Sequence, residues 1–119
     1  MKKLLADIQS SLTGKQFSLG DEKKLQTELS DAFTAHGIEF RREVRLDDNN
    51  IVDFMVDGLG IEVKIRTRVS AMQIYRQIER YCAFPEISAL LLITSRALSL
   101  PAVINGKPIY ILSLGRVML

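Results

Sequence analysis

Two short apolar runs on either side of Asp57 and Gly58 constrain the fold of this chain more than any other feature. Residues 51–56 and 59–65 each have the length and the β-branched composition of a strand. An Asp-Gly pair between two such runs is a strong signal for a β-hairpin. Residues 38–46, which carry many charges at alternating positions, predict one more strand before the hairpin. The sequence therefore predicts a three-stranded meander in the middle of the chain.

Helical periodicity flanks this meander on both sides. Apolar residues recur at three- and four-residue spacing over 1–18, 21–36 and 70–83 and predict three helices, the first an N-terminal helical extension. The continuous apolar run 89–94 is typical of a strand covered on both faces, and 109–114 predicts a last strand. The third helix would be a crossover between parallel neighbours. The order predicts an α/β fold with a mixed sheet, the meander plus two further strands, flanked by helices.

Length and composition limit the class of protein. The chain has 119 residues, 47% of them hydrophobic and 25% charged, which predicts a single globular domain over residues 1–119. Its apolar runs are much shorter than the roughly 18 to 20 residues that span a bilayer, so no membrane partner is expected. The single cysteine, Cys82, excludes an internal disulfide and indicates a reducing compartment. We therefore expect a cytoplasmic protein, with Cys82 as a small hydrophobic residue of a helix.

Charged residues inside two of the strands mark a candidate site. Side chains alternate along a strand, so Glu62 and Lys64 should lie side by side on one face. Asp53 stands in the neighbouring strand within an apolar segment, where an unpaired carboxylate costs several kcal/mol or becomes protonated. A cation shared by Asp53 and Glu62 would compensate both. A surface hairpin with a cross-strand salt bridge is the simpler alternative, but it does not account for an acid in so apolar a run.

This set of residues suits metal-assisted hydrolysis of a phosphodiester. Two carboxylates, a carbonyl oxygen and water form the hard-oxygen donor set that Mg²⁺ prefers. A metal there would polarise the phosphoryl oxygen and lower the pKa of the attacking water. Lys64 could position that water or offset the charge that develops in the transition state. The residues thus predict phosphodiester hydrolysis with Mg²⁺ or Mn²⁺ as the cofactor.

These residues resemble the signature of the PD-(D/E)xK nuclease superfamily, which includes restriction endonucleases, Holliday-junction resolvases and recombination or repair exonucleases. The matching positions are an acid in an apolar strand and an acid–x–lysine strand after a short hairpin: Val52, Asp53, Phe54, Ile61, Glu62, Val63 and Lys64. Val52 stands where the family's name has proline. The resemblance covers about residues 21–114, whose element order is similar to the family core. It implies a restriction-endonuclease-like fold and a metal-dependent nuclease acting on DNA.

The resemblance extends to both helices that flank the meander. Gln77 and Tyr81 look like the QxxxY element of the exonuclease branch, which implies that Gln77 orders the metal waters or a nucleic-acid phosphate while Tyr81 packs beneath. Glu22 and Gln26 look like the ExxxQ helix of virus-type replication and repair nuclease domains. Glu22 is accordingly the first choice for a further metal ligand beside Asp53 and Glu62, and Glu28 is the alternative.

Basic residues are concentrated in the segments around the proposed site. The five that we expect to contact nucleic acid are Arg41, Arg66, Arg68, Arg76 and Arg80. Phosphate contacts from these side chains would make binding depend strongly on salt concentration. The alternative is a solvated set of surface arginines, since the net charge is only +2. No aromatic platform or base-reading helix is evident, so sequence-specific recognition has no support.

Several alternatives stay open at this stage. Glu43 is expected to pair with a neighbouring arginine, although it borders the site, and His36 to end a helix at the surface. A non-catalytic nucleic-acid-binding module with the same fold is the second functional hypothesis. A small protein-interaction domain, docking through the apolar end at 113–119, is the third. A homodimer or a larger repair or recombination complex is compatible with a domain that offers little surface to a duplex.

Overall fold

The computed structural model describes residues 1–65 and 69–114. In this part the chain is α/β, with three helices and a mixed six-stranded sheet. The elements, in chain order, are α1 (Lys2–Leu12), α2 (Glu22–Ala35), β1 (Arg41–Asp47), β2 (Asn50–Val56), β3 (Leu59–Lys64), α3 (Ala71–Tyr81), β4 (Ala89–Thr94), β5 (Val103–Ile104) and β6 (Lys107–Ser113). None of the helices in these residues is long and apolar enough to cross a membrane.

The strands lie in the order β1-β2-β3-β4-β6-β5. Strands β1, β2 and β3 are antiparallel neighbours, which confirms the predicted meander. Strand β4 is parallel to β3, so α3 is the expected crossover between parallel neighbours, and β6 is parallel to β4. The carboxyl ends of these three parallel strands therefore meet at one edge of the sheet, where Lys64 lies beside Thr94 and Thr94 beside Ser113.

The structure differs most from the sequence prediction at two boundaries and in one additional strand, β5, which makes six strands instead of the five predicted. The first helix ends at Leu12 instead of residue 18, because Thr13 has extended backbone (φ −64°, ψ 134°) and Gly14 the left-handed φ of 75°. Strand β1 begins at Arg41 instead of residue 38. Strand β5 has only two residues, too few to show a periodicity, and pairs antiparallel with β6 at the edge of the sheet.

The sheet separates two hydrophobic cores. Helices α1 and α2 cover one face, where Leu29 and Phe33 of α2 pack with Ile61 and Val63 of β3. Helix α3 covers the other face, where its isoleucines and Tyr81 pack with Leu90, Leu92 and neighbouring residues. All six residues of β4 are buried, which confirms the prediction that residues 89–94 are a strand covered on both faces.

The helices begin and end where the sequence supplies capping groups. The Asp21 side chain accepts a hydrogen bond from the Lys24 backbone N–H (3.1 Å) and begins α2. Ser70 and Gln73 form a reciprocal capping box at the start of α3. His36 is the exposed C-cap of α2 and Cys82 is buried beyond the last turn of α3, so both have the surroundings expected from the sequence.

Candidate active site

Strands β2 and β3 part at Asp53, and the carboxylates of the candidate site bridge the gap. Backbone pairing brings Phe54 opposite Ile61 at the last regular position before the gap. One position further on, the backbone N–H of Asp53 donates to Glu62 Oε1 (3.3 Å). The backbone N–H of Val63 donates to Asp53 Oδ2 (2.8 Å). Side-chain oxygens thus take the place of backbone carbonyls between the strands, and the two acids meet there.

A reversal of the pleat accompanies this gap. Val52 and Phe54 would share a face in a regular strand, but Val52 packs in the core under α3 and Phe54 in the core under α1 and α2. Their partners on β1 flank Glu43, which has a φ of 51°. A non-glycine residue in the left-handed region costs about 1 to 2 kcal/mol. Strands β1 and β2 therefore turn over together at the level of Asp53, which lets the Asp53 carboxylate reach β3.

Glu62 and Lys64 lie side by side, as strand alternation predicted. Lys64 Nζ is 3.4 Å from Glu62 Oε2. The exposed fraction is 3% for the Glu62 side chain and 17% for that of Lys64, so the acid is buried and the ammonium group reaches toward solvent. A surface hairpin with an exposed salt bridge does not fit this burial.

Burial disfavours the charged forms of both acids, and Lys64 only partly offsets this effect. Burial raises the pKa of Glu62 to about 8, and the charge of Asp53 adds to the rise while Lys64 opposes it. Burial also raises the pKa of Asp53, against the opposing hydrogen bond from the Val63 N–H and the charge of Lys64. Both carboxylates are therefore poorly compensated in the absence of a further cation.

The structure separates the two candidates for the third acid. Glu22, in the first turn of α2, has a raised pKa because of burial, with the charges of Lys64 and Asp53 also acting on it. Glu22 is therefore close to the site. Glu28 instead accepts hydrogen bonds from the Ser18 backbone N–H (2.7 Å) and hydroxyl (3.1 Å), so its carboxylate holds the loop between α1 and α2.

Two hydrogen bonds through Tyr81 join helix α3 to the same region. The buried Tyr81 hydroxyl donates to the Ile51 carbonyl (2.8 Å) and accepts from Gln77 Nε2 (2.9 Å). A phenol has a single proton to donate, so the bond to Ile51 fixes Gln77 as the donor to Tyr81. The remaining acceptor of Gln77, its Oε1 atom, is thereby left for other partners.

A concavity of about 320 Å³ lies beside Lys64 and is lined on its α3 side by Gln73, Arg76, Gln77 and Arg80. The structure thus brings three of the predicted site residues of α3 to the catalytic lysine candidate. Asn50, which sequence reasoning missed, orients one of them because its Oδ1 accepts from Arg80 Nε (3.3 Å). Asn50 is the first residue of β2 and follows the polar residues 47–49, a pattern that predicts a turn and gives no sign of this tertiary role.

The arginines of β1, which include the predicted contact Arg41, do not line this concavity. Arg41 lines a separate depression with Asp57 near the hairpin. Arg42 lies over the Phe54 ring, 5.6 Å from its centroid, and Arg45 Nη1 donates to the Asp48 carbonyl (3.2 Å). The expectation that Arg41 contributes to the same face as the α3 arginines is therefore not supported by its position. Two further predicted contacts, Arg66 and Arg68, lie outside the described residues.

The sequence predicted an ion pair between Glu43 and a neighbouring arginine. Within residues 1–65 and 69–114 no such pair is present, and the ion pair that is found joins Lys64 and Glu62. The charge of Glu43 instead contributes to the raised pKa of Asp53, which places Glu43 near the site. The described residues contain no group of three or more His, Cys, Asp or Glu side chains arranged to hold one metal ion. Glu22 and Glu43 thus border the Asp53–Glu62 pair without forming one compact cluster with it.

Comparison with protein-family models, with curated proteins and with solved structures gave no match for this chain.

Proposed function

We propose that this chain is a Mg²⁺- or Mn²⁺-dependent nuclease that hydrolyses phosphodiester bonds of DNA. The observation that carries the proposal is the meeting of the Asp53 and Glu62 carboxylates in the gap between β2 and β3, with Lys64 Nζ 3.4 Å from Glu62. A buried acid and a partly buried acid on adjacent central strands, with a lysine beside them, are a set that suits metal-assisted phosphodiester hydrolysis.

The element order supports the further proposal that the fold is restriction-endonuclease-like and that the chain is a member of the PD-(D/E)xK superfamily. A helix, an antiparallel meander, a crossover helix and a parallel strand follow one another as α2, β1, β2, β3, α3 and β4. The motif residues fall on β2 and β3 at the point where these strands separate. The QxxxY-like pair of Gln77 and Tyr81 lies on α3 and is joined by a hydrogen bond to β2.

The donor set suits a hard divalent cation. Asp53 and Glu62 offer carboxylate oxygens, and burial, which raises the pKa of both, disfavours their charged forms unless a cation lies nearby. These two residues would hold the metal, with Glu22 completing its ligands directly or through water. The bound metal would polarise the scissile phosphate and lower the pKa of a water molecule.

Groups of the protein itself would provide the remaining chemistry. Lys64, partly exposed at the edge of the site, would orient the attacking water and offset charge on the phosphate in the transition state. Gln77 Oε1, left free as an acceptor by the two hydrogen bonds through Tyr81, would accept a hydrogen bond from that water. Arg76 and Arg80, which line the concavity with Lys64, would bind the phosphates on either side of the scissile bond.

An activity screen tests this proposal. Supercoiled, linear, single-stranded and branched DNA, and RNA, are incubated with the protein in Mg²⁺, in Mn²⁺ and in chelator. Cleavage should require the metal and should be lost in Asp53→Asn and Lys64→Ala. Lys3→Ala, which removes an exposed lysine of α1 on the opposite face of the sheet, is the matched control and should cleave normally. Cleavage that persists in both site variants would refute the assignment, and DNA binding without cleavage would favour the non-catalytic binding module.

A further inference from the structure

A larger cavity, of about 560 Å³, lies at the carboxyl ends of β4 and β6 and is separate from the concavity beside Lys64. This volume is within the range of about 300 to 1,000 Å³ that is typical of ligand sites. Its polar lining residues are Arg96 and three serines, Ser95, Ser99 and Ser113, and its apolar lining includes Leu98 and Ile111. We propose that this cavity binds a phosphate group of the DNA strand beyond the scissile bond, which rests on the function proposed above.

The charge of Arg96 favours an anionic ligand. Arg96 is only partly exposed, and no carboxylate of the described residues lies within salt-bridge distance of it. Its Nη1 atom donates to the Val69 carbonyl (2.8 Å), which occupies one of the five N–H donors of the guanidinium group. A phosphate would supply both the missing negative charge and acceptors for the remaining donors.

The rest of the lining suits one nucleotide unit. Serine hydroxyls donate readily to phosphate oxygens, and such contacts position a nucleic acid without reading its sequence. Ile111 is a large apolar side chain with an exposed fraction of 39%, and Leu98 lies beside it in the cavity wall. A sugar or base lying on these two residues would remove apolar surface from water. The cavity therefore combines an anion-binding wall with an apolar wall.

The position of the cavity relative to Lys64 identifies the source of the phosphate. Lys64, Thr94 and Ser113 are partners in register on three adjacent parallel strands. Neighbouring strands are about 4.8 Å apart, so Ser113 lies roughly 10 Å from Lys64 across the sheet. A nucleic-acid strand covers this distance in a few nucleotide steps. One strand could thus contact Lys64 and the cavity at the same time.

Val69 joins the two sites physically. It lines the concavity beside Lys64, and its carbonyl accepts the hydrogen bond from Arg96. Val69 thus lines the first concavity and is held by the arginine that would bind the second phosphate.

Binding of labelled oligonucleotides in chelator, followed by fluorescence anisotropy over a range of KCl concentrations, tests this inference without requiring cleavage. Arg96→Ala should weaken binding about five- to tenfold and reduce the slope of log K against log[KCl] by about 0.7 to 0.9, the loss of one phosphate contact. Arg96→Lys should restore part of the affinity, because the charge remains while the planar fork is lost. Lys3→Ala, an equal change of charge on the opposite face, should alter neither value.

A second variant separates phosphate binding from the support that Arg96 gives to Val69. Ser113→Ala removes a hydroxyl of the cavity and leaves the Arg96–Val69 hydrogen bond in place. It should weaken binding two- to threefold with the thermal midpoint unchanged. The inference would be overturned if Arg96→Ala and Ser113→Ala both had the same affinity and salt slope as the unaltered protein. Failure of the unaltered protein to bind oligonucleotide would also overturn it.

The remaining outcomes distinguish the inference from the proposed function and from another source of phosphate. Loss of affinity in Arg96→Ala in a protein that never cleaves DNA would support the cavity and refute the nuclease. Normal binding by Arg96→Ala in a protein that does cleave DNA would support the nuclease and refute the cavity as a phosphate site. Inorganic phosphate or a nucleoside monophosphate could instead stabilise the protein against heat. If Arg96→Ala abolishes that stabilisation but leaves oligonucleotide binding unaffected, the cavity binds a small phosphate compound and the polynucleotide is overturned as its ligand.

Discussion

The Tyr81 hydroxyl donates a hydrogen bond of 2.8 Å to the carbonyl oxygen of Ile51, two residues before Asp53 in the sequence. This bond joins α3 to β2 on the far side of the point where β2 leaves β3. It satisfies a backbone acceptor of β2 at the gap. Since Tyr81 also accepts from Gln77, one phenol holds both the strand that carries Asp53 and the amide that faces the concavity.

Tyr81→Phe should therefore affect both stability and catalysis. The Ile51 carbonyl would lose its donor at a partly buried position, which costs about 0.5 to 1.5 kcal/mol of the free energy of unfolding. Gln77 would lose the acceptor that fixes its orientation, so we expect kcat to fall by about tenfold with little change in KM. Denaturant unfolding measures the first effect and steady-state cleavage kinetics the second.

Tyr110→Phe is the matched control, because Tyr110 is a partly buried tyrosine that packs against the opposite core. It should leave kcat unchanged. A Tyr81→Phe protein that loses stability but retains its kcat would show that Tyr81 is structural and does not position Gln77. An increase in KM without loss of kcat would instead indicate that Gln77 contacts the phosphate.

Much of this site could be predicted from sequence because it follows from strand alternation and local turn chemistry. The Asp57-Gly58 turn indicates the hairpin, and alternation puts Glu62 and Lys64 together, as their 3.4 Å separation confirms. The approach of Asp53 to β3 could be expected from the hairpin. The reversal of the pleat at Asp53 could not, because periodicity assumes that a strand alternates without interruption.

The choice between Glu22 and Glu28 depended on tertiary contacts that local sequence does not reveal. Both acids lie on α2, and either could have faced the site. The hydrogen bonds from Ser18 to Glu28 connect residues ten positions apart through a loop without periodicity. The position of Arg41 was equally difficult to predict, because the direction of a long side chain depends on neighbours that only the folded chain brings close, as Asn50 does for Arg80.

The stability of the metal-free protein should fall as pH rises from about 4.5 to about 8. Burial raises the pKa of Glu62 to about 8 in the folded chain, whereas a carboxyl group in the unfolded chain titrates near 4.3. Between these values the folded protein binds more protons than the unfolded one, so the free energy of unfolding decreases with pH. The slope should approach about 1.4 kcal/mol per pH unit in the middle of this range.

Denaturant unfolding in chelator at a series of pH values measures this slope. Glu62→Gln has no titrating group at position 62. Its stability should therefore depend much less on pH, and at pH 8 it should be more stable than the unaltered protein. Asp31→Asn, a change at an exposed position of α2, should keep the original slope. A pH profile that is flat in the unaltered protein would show that Glu62 is ionised at its ordinary pKa in the folded state.

Mn²⁺ should stabilise the protein through the same two acids. A cation that binds only the folded state raises the free energy of unfolding, by about 2.7 kcal/mol at a concentration 100 times its Kd. The thermal midpoint should therefore increase with Mn²⁺, and more so at pH 8, where the Glu62 carboxylate would otherwise be unfavourably buried. Asp53→Asn should abolish the increase.

Asp31→Asn again provides the control, because it removes an acid of the same type outside the site and should preserve the Mn²⁺-dependent shift. An equal shift in Asp53→Asn and in the unaltered protein would mean that the cation binds elsewhere. The absence of any shift in the unaltered protein would count against the proposed metal site independently of the choice of substrate.

Glu22→Gln and Glu28→Gln should have opposite consequences, since one acid is near the site and the other holds a loop. Glu28→Gln weakens the charge-assisted hydrogen bonds from Ser18 and should lower the free energy of unfolding by about 1 to 2 kcal/mol while cleavage continues. Glu22→Gln removes a carboxyl group whose pKa burial raises and that interacts with Lys64 and Asp53. It should reduce cleavage at limiting Mn²⁺ without loss of stability, so that excess Mn²⁺ partly restores activity. Unfolding curves and Mn²⁺ titrations of the cleavage rate, run on both variants, test this prediction. A higher Mn²⁺ requirement in Glu28→Gln but not in Glu22→Gln would reverse the assignment of the third acid.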